Sequence, residues 1–382
     1  MNLDERFRER ELCTPLLEKI HRISRLNTRP MRIMEVCGTH TVSIFRHGIR
    51  TLLPKEITLL SGPGCPVCVT PAGHIDLCLQ AARHPEVVLA TFGDLMRVPG
   101  SHGSLADARA RGEARAEVVY SPMDALAMAR QNASVQVVFP AIGFETTAPT
   151  IAATVLAAHQ QKIGNFSIIP LAKTMPGALL QLLSDDELEL SGLLCPGHVS
   201  AIIGAKVYQP LVDHFGLGCA VAGFEPADIL AGLLALLQQQ VHGKARVDNC
   251  YPRAVTDQGN IRAQNLLAQV FAPVESEWRG LGSIAASGLA LRSEYQQFDA
   301  VKRLQLSASQ VPDPPACRCG SVLKGLLQPP QCPLYGRSCT PLSPIGPCMV
   351  STEGTCAAYY RYGDDTAANF TTIGNHYSKN SC

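Results

Sequence analysis

The sequence contains no apolar run of the ~18 residues that a membrane-spanning helix requires. The nearest approach, Ile229 to Leu237, carries a glycine and reads as a buried core helix. An excess of either charge is also missing: 33 Lys and Arg against 32 Asp and Glu leave a formal charge of +1. That balance gives no electrostatic case for nucleic acid or an acidic membrane surface, so partners are expected to be recognised by shape and local chemistry. Residues 1–25 mix charged side chains with Leu12, Leu16, Leu17 and Ile20, the pattern of an amphipathic surface helix and not of a signal peptide. The expectation is a soluble, cytoplasmic protein that uses neither membrane nor nucleic acid.

What the chain does hold is cysteine, fifteen in 382 residues, with 31 glycines and 27 prolines. At this length two or three domains can each bury a core without disulfide staples. A reducing compartment keeps structural thiols unpaired, so this many cysteines points to metal or redox chemistry.

From Met31 to about Gln240 one unit recurs: a short β-branched or apolar run, a Gly/Pro loop, then a longer helical pattern. This alternation predicts α/β architecture with parallel, helix-covered sheets. The candidate strands are 31–36, 57–60, 87–91, 135–139, 167–171, 192–194 and 218–222. Each is followed by an unusual motif: CGTHT (37–41), GPGCPVCVTP (62–71), FGDLMRVPG (92–100), GFETTAP (143–149), AKTMPG (172–177), CPGHVS (195–200) and GFEP (223–226). Ligands bind at the C-terminal edge of such sheets, so these loops are expected to line one face or cleft. The alanine-rich, charged stretch ending at 108–117 reads as a solvated helix or connector between two sheets. Residues 245–310 look mainly helical, and 311–350 are too rich in Pro, Cys and Gly for a hydrophobic core to hold them.

Six cysteines, Cys317, Cys319, Cys332, Cys339, Cys348 and Cys356, fall within 40 residues. The series Cys317-x14-Cys332-x6-Cys339-x16-Cys356 lacks the paired C-x2-C knuckles of structural zinc, and Cys332-Pro333 resembles the proline that follows many iron–sulfur ligands. Iron–sulfur is favoured, with a zinc staple as the bland alternative. Two cysteines are left over: Cys319 and Cys348 close a redox-active disulfide, or Cys319 replaces Cys317 as a ligand.

Cys65-Pro66-Val67-Cys68 has the spacing of a reversible disulfide or a shared metal, flanked by glycines that allow close backbone approach. Cys37 and His40 are spaced to share one borderline metal, or for the imidazole to activate the thiol; singly, each reads equally well as a buried structural residue. Glu145, His198 and Glu225 offer acid/base or hydrogen-bonding groups on the same edge, and Thr147 and Ser200 read as helix caps.

Taken together, CGTH, GPGCPVC, FETT, PGHVS, GFEP and the four-cysteine series, in this order over nearly the whole chain, resemble the HypD family of hydrogenase maturation proteins. The resemblance implies two Rossmann-like parallel-sheet domains facing a cleft, expected at 31–125 and 126–243, plus a mainly helical or irregular iron–sulfur domain from 1–30 and 244–382. It implies a scaffold with redox chemistry, not a conventional turnover enzyme, for building the Fe(CN)2CO group of [NiFe]-hydrogenases. Two partners follow from it: the small iron chaperone HypC and the cyanide-delivering HypE. It further implies Cys37 as ligand of the iron cargo with His40 beside it, and Cys65 and Cys68 as the neighbouring redox pair. Cys317, Cys332, Cys339 and Cys356 then hold a [4Fe–4S] cluster, and Cys319 and Cys348 relay electrons. The competing reading of the same residues is an iron–sulfur thiol-disulfide reductase.

Overall fold

In a computed structural model of the protein, residues 7–185, 187–308 and 313–363 are described. Parts of the expected N-terminal helix and of the third domain lie outside them. The seven predicted strands are present as β1 (Met31–Glu35), β2 (Ile57–Ser61), β3 (Val87–Thr91), β5 (Gln136–Pro140), β6 (Phe166–Ile169), β7 (Gly192–Pro196) and β8 (Gly218–Ala222). Two short edge strands, β4 (Ala116–Val118) and β9 (Val247–Asn249), and a hairpin of β10 (Phe271–Trp278) and β11 (Gly282–Leu291), complete them.

The strands form two wholly parallel sheets, ordered β2-β1-β7-β8-β9 and β4-β3-β5-β6. Within each sheet the winding is the same: the second strand lies outside the first, and the third passes to the first strand's other side. The α/β fold with two Rossmann-like sheets is therefore as the sequence predicts. Strands β7 and β8 are buried at every position, as inner parallel strands covered on both faces must be.

The division at 125/126 is not how the sheets divide the chain. Strands β3–β6 form one sheet inserted between β2 and β7 of the other. Thus CGTH, GPGCPVC, PGHVS and GFEP share one sheet edge, and GFETT stands on the second sheet. Sequential alternation cannot show this, because a strand's hydrophobic pattern records burial and not the identity of its neighbour. The charged stretch is likewise no connector between sheets: helix Leu105–Ala110 leads into β4 of the same sheet.

Two segments cross between the sheets. The first, 62–71, leaves β2 and enters helix Ala72–Arg83, whose Ile75, Cys78 and Leu79 pack in the core of the second sheet. The second, 170–174, leaves β6 and enters helix Met175–Leu183, which packs with Cys195, Cys219 and Trp278 on the first. The β10–β11 hairpin grips both crossings. Residues 272–290, expected to be helical, pair antiparallel with a bulge between Val274 and Ser276. Strand β11 runs on to the second crossing through Thr174 N–H to Ser287 O (2.9 Å) and Leu289 N–H to Ala172 O (3.1 Å).

The amphipathic N-terminal pattern forms helix Arg10–Ser24, which buries Ile20 beside Ile229 and Leu233 of helix Pro226–His242. That second helix starts with Pro at its first turn and ends at Gly243, whose φ of 61° is the left-handed geometry of a helix stop. No helix among the described residues is long and apolar enough to cross a membrane.

Candidate functional site

Register places the strand ends of the first sheet side by side: Glu35 opposite Ser61 and Leu194, and Pro196 opposite Ala222. The winding reverses between β1 and β7, and a crevice at such a switch point is where open α/β sheets bind ligands. Cys37 follows β1 there, and Gly197-His198 follows β7.

Cys37 is the extended residue immediately before helix Gly38–Arg46, and it is 8% exposed. Gly38 N–H donates to Gly64 O at 3.1 Å, which lays the GPGC loop directly over Cys37. From the other side comes the late segment, with Thr39 Oγ1 donating to Glu353 Oε1 at 2.6 Å. A Cβ on Gly38 would stand 2.4 Å from the Glu353 carbonyl oxygen, so glycine is required for this approach. Burial, and then the Glu353 carboxylate, push the Cys37 thiol up to about 12, against the opposing pull of the His40 and Thr39 backbone amides. The sulfur therefore carries its proton at neutral pH unless a metal displaces it.

His40 is fully buried. Its Nε2 lies 2.8 Å from Gly223 O and must donate, since a carbonyl only accepts; Nδ1 then bears a lone pair, and it has no partner among the described residues. Burial holds its pKa down at about 4, so the ring is neutral. Phe224 of the GFEP motif lies between two imidazoles, its ring centroid 4.8 Å from His40 and 3.8 Å from His198. Glu225, by contrast, turns away to pair with Arg8, which lowers its pKa.

Cys65 and Cys68 are both buried, and Cys68 N–H donates to Cys65 Sγ at 3.2 Å. Burial raises the Cys68 pKa, and the neighbouring thiols that act on it are Cys348, Cys65 and Cys319. Cys319 and Cys348 have their sulfurs 2.8 Å apart. Cys348 in turn interacts with Cys356, and Cys319 with Cys317. A continuous series of thiols thus runs from the CPVC loop into the late segment. There, Cys317, Cys319, Cys332, Cys339, Cys348 and Cys356 line one pocket with Val322, Leu334, Tyr335 and Met349. Gly346 abuts it so closely that a Cβ would stand 2.9 Å from Cys317 Sγ. Among the described residues no group of three or more His, Cys, Asp or Glu side chains is placed to hold a single metal ion.

Glu145 does not join Cys37. Its Oε1 accepts Met175 N–H at 2.9 Å across the second crossing, Oε2 has no partner among the described residues, and burial lifts its pKa to about 7. Thr147 precedes its helix but makes no side-chain cap, and Ser200 lies inside helix Gly197–Ile203, donating to Pro196 O at 2.7 Å.

Three residues escaped the sequence reading. Glu353 stands three positions before Cys356, a carboxylate next to Gly354 that was readable as a signal. Lys173, buried in AKTMPG, donates to Ser276 Oγ (2.7 Å) and Glu277 O (2.6 Å). Arg279 lies at the hairpin tip, and nothing in its flanking sequence marks it.

Fold and site together define a double α/β protein whose two sheets are joined by a thiol-bearing crossing, with a cysteine-lined pocket beside it. Residues 11–363 match the family described as HypD: hydrogenase formation hypA family. The chain is 47% identical over 353 residues to hydrogenase maturation factor HypD of Escherichia coli K12, covering 92% of this chain and 94% of that one. It is 42% identical over 371 residues to HypD2 of Bradyrhizobium diazoefficiens (95% and 97%), and 42% over 377 residues to HypD of Rhodobacter capsulatus (96% and 100%). The chain belongs to the HypD family of hydrogenase maturation factors.

Proposed function

We propose that this maturation factor acts as the scaffold on which the Fe(CN)2CO group of [NiFe]-hydrogenases is assembled, with Cys37 holding the iron cargo. One observation carries the reading: residues far apart in sequence meet at one sheet edge, where Gly64 lies on Cys37, and Cys68 lies among Cys348 and Cys319. A thiolate suits a low-spin iron that carries cyanide and CO, and Nδ1 of His40, without a partner among the described residues, supplies a neutral nitrogen acceptor in the first turn of the helix that follows Cys37. The high pKa of Cys37 means that iron binding there releases a proton.

The late cysteines fit a [4Fe–4S] cluster. Four thiols of the series Cys317, Cys332, Cys339 and Cys356 surround one pocket with an apolar lining. A cubane takes each thiolate on a different iron, so its ligands stand apart around a cavity instead of converging on one point. When bound, the cluster supplies single electrons at a potential set by burial and hydrogen bonding. The chain's own contribution is to collect them as thiol pairs: Cys319 with Cys348, then Cys65 with Cys68, next to Cys37. Reductive release of cyanide from a thiocyanate needs two electrons, the number a dithiol gives on becoming a disulfide. The partners on this reading are HypC, sharing the iron, and HypE, presenting the thiocyanate, and the setting is the cytoplasm.

The thiol-disulfide reductase alternative is disfavoured by burial. Cys65, Cys68, Cys319 and Cys348 are all under 5% exposed, so an external disulfide does not reach them. The test is infrared spectroscopy of protein made anaerobically with its small partner. Nitrile and carbonyl bands are expected, and Cys37→Ala is expected to lose them while the protein stays brown. Bands that survive in that variant take Cys37 out of the role.

A further inference from the structure

The tip of the β10–β11 hairpin touches both thiol-bearing segments. Towards the CPVC loop, Arg279 N–H donates to Val69 O at 2.8 Å, and its Nε and Nη2 both donate to Thr70 O, at 3.1 and 3.0 Å. Towards the late segment, its Nη1 pairs with Asp313, four residues before Cys317. Gly280 meets Gly320 backbone to backbone: a Cβ on Gly280 would stand 2.6 Å from Gly320 Cα, next to Cys319. The Arg279 side chain is 2% exposed, and its charge acts on the Cys319 thiol.

Taking a guanidinium out of water carries a desolvation cost unless its donors are satisfied. The planar fork of arginine meets that cost here by bridging two chain segments at fixed angles, which a lysine point charge cannot do. The segments it bridges are the two that carry Cys65–Cys68 and Cys319–Cys348.

We propose that Arg279 is a positioning residue that holds these two thiol pairs in register for exchange with each other. The inference rests on the relay described above. In the exchange, the Cys348 thiolate attacks Cys68 of a Cys65–Cys68 disulfide. The S348–S68 bond forms as the S65–S68 bond breaks, and Cys65 leaves as a thiolate that takes up a proton. Cys319, losing its proton, then attacks Cys348 and releases Cys68. Two electrons and two protons pass from one pair to the other, and no further reductant enters. Sulfur must approach the S–S bond near its axis, and misplacement by an ångström costs such a reaction roughly 100-fold.

The test uses the full chain, purified anaerobically, carrying Cys65→Ser and Cys319→Ser so that Cys68 and Cys348 are left to form the trapped bond. Oxidation with hydrogen peroxide, small enough to reach buried sulfur, followed by peptide mapping, reads the rate at which the Cys68–Cys348 disulfide forms. Arg279→Gln is expected to slow it by at least tenfold with an unchanged far-UV circular dichroism spectrum, and Arg279→Lys to recover part of the rate. Asp313→Asn frees only the late segment and sits where unfolding is not at stake, since Asp313 is one-third exposed; it is expected to slow trapping too. Parent-like rates in both Arg279→Gln and Asp313→Asn overturn the proposal, as does slowing that appears only with lost circular dichroism. If Arg279→Gln does not fold, Asp313→Asn decides. Failure of the parent to form the disulfide at all sinks the relay itself, a different result from a parent that traps and variants that match it.

Discussion

A Cβ atom on Gly64 would stand 2.3 Å from both the Cα and the backbone nitrogen of Cys37. The two loops are therefore in backbone contact, and no other residue type fits between them. Gly64→Ala must push the CPVC loop off Cys37. Overpacking of this kind costs about 1–3 kcal/mol, so the variant should fold with a lowered melting temperature. Hydrogenase maturation in cells should nonetheless fail. Normal maturation by a destabilised Gly64→Ala protein would show that the contact between the loops is dispensable.

The pocket cysteines should separate by metal content. Cys332→Ser and Cys339→Ser are expected to lose the brown colour and about four irons with matching sulfide, whereas Cys348→Ser keeps them and loses only maturation. Stripping the metal from the parent should also expose 330–345 to proteolysis, because Cys339 is the one buried side chain in that stretch. Full iron in Cys332→Ser would contradict the ligand set.

Glu145 gives a pH test. Its pKa of about 7 lies above the usual 4.5, because burial disfavours the carboxylate. The stability this gives is complete below pH 4.5 and is lost as the pH rises through 7. Denaturant midpoints of Glu145→Gln should vary less between those pH values than the parent's. An unchanged slope would place its source elsewhere.

Lys173 titrates in the opposite sense. Burial brings its pKa from 10.5 down to about 7, so its contribution is present above pH 10.5 and is lost as the pH falls towards 7. Lys173→Met should abolish that slope. It should also cost ~1–3 kcal/mol at neutral pH, because Ser276 Oγ and Glu277 O lose their donor. Equal stability of variant and parent at pH 7 would mean that those acceptors find other donors.

Much of the fold was readable from local pattern. The seven main strands and helix Pro226–His242 follow from runs of apolar residues punctuated by Gly and Pro, because burial on both faces of a parallel sheet leaves that trace in each segment. The hairpin at 271–291 was not readable: only Phe271 and Trp278 of β10 are buried, and β11 buries its residues without regular alternation, so neither period stands out. The same limit hid Arg279 and Lys173, whose roles come from partners about 100 to 210 residues away.

By itself the sequence determined the chemistry available: which loops carry thiols, imidazole and carboxylate, and that each follows a strand. Tertiary structure alone decided which of those loops meet. The insertion of one sheet into the other brings Cys37, Cys65, Cys68, His40 and Phe224 to a single edge and leaves Glu145 at the second crossing. Glu225, though on that edge, turns away to Arg8. The reason is physical: side-chain type and spacing are local properties, whereas strand order is set by which sheet each buried run joins, and only the packed molecule makes that choice.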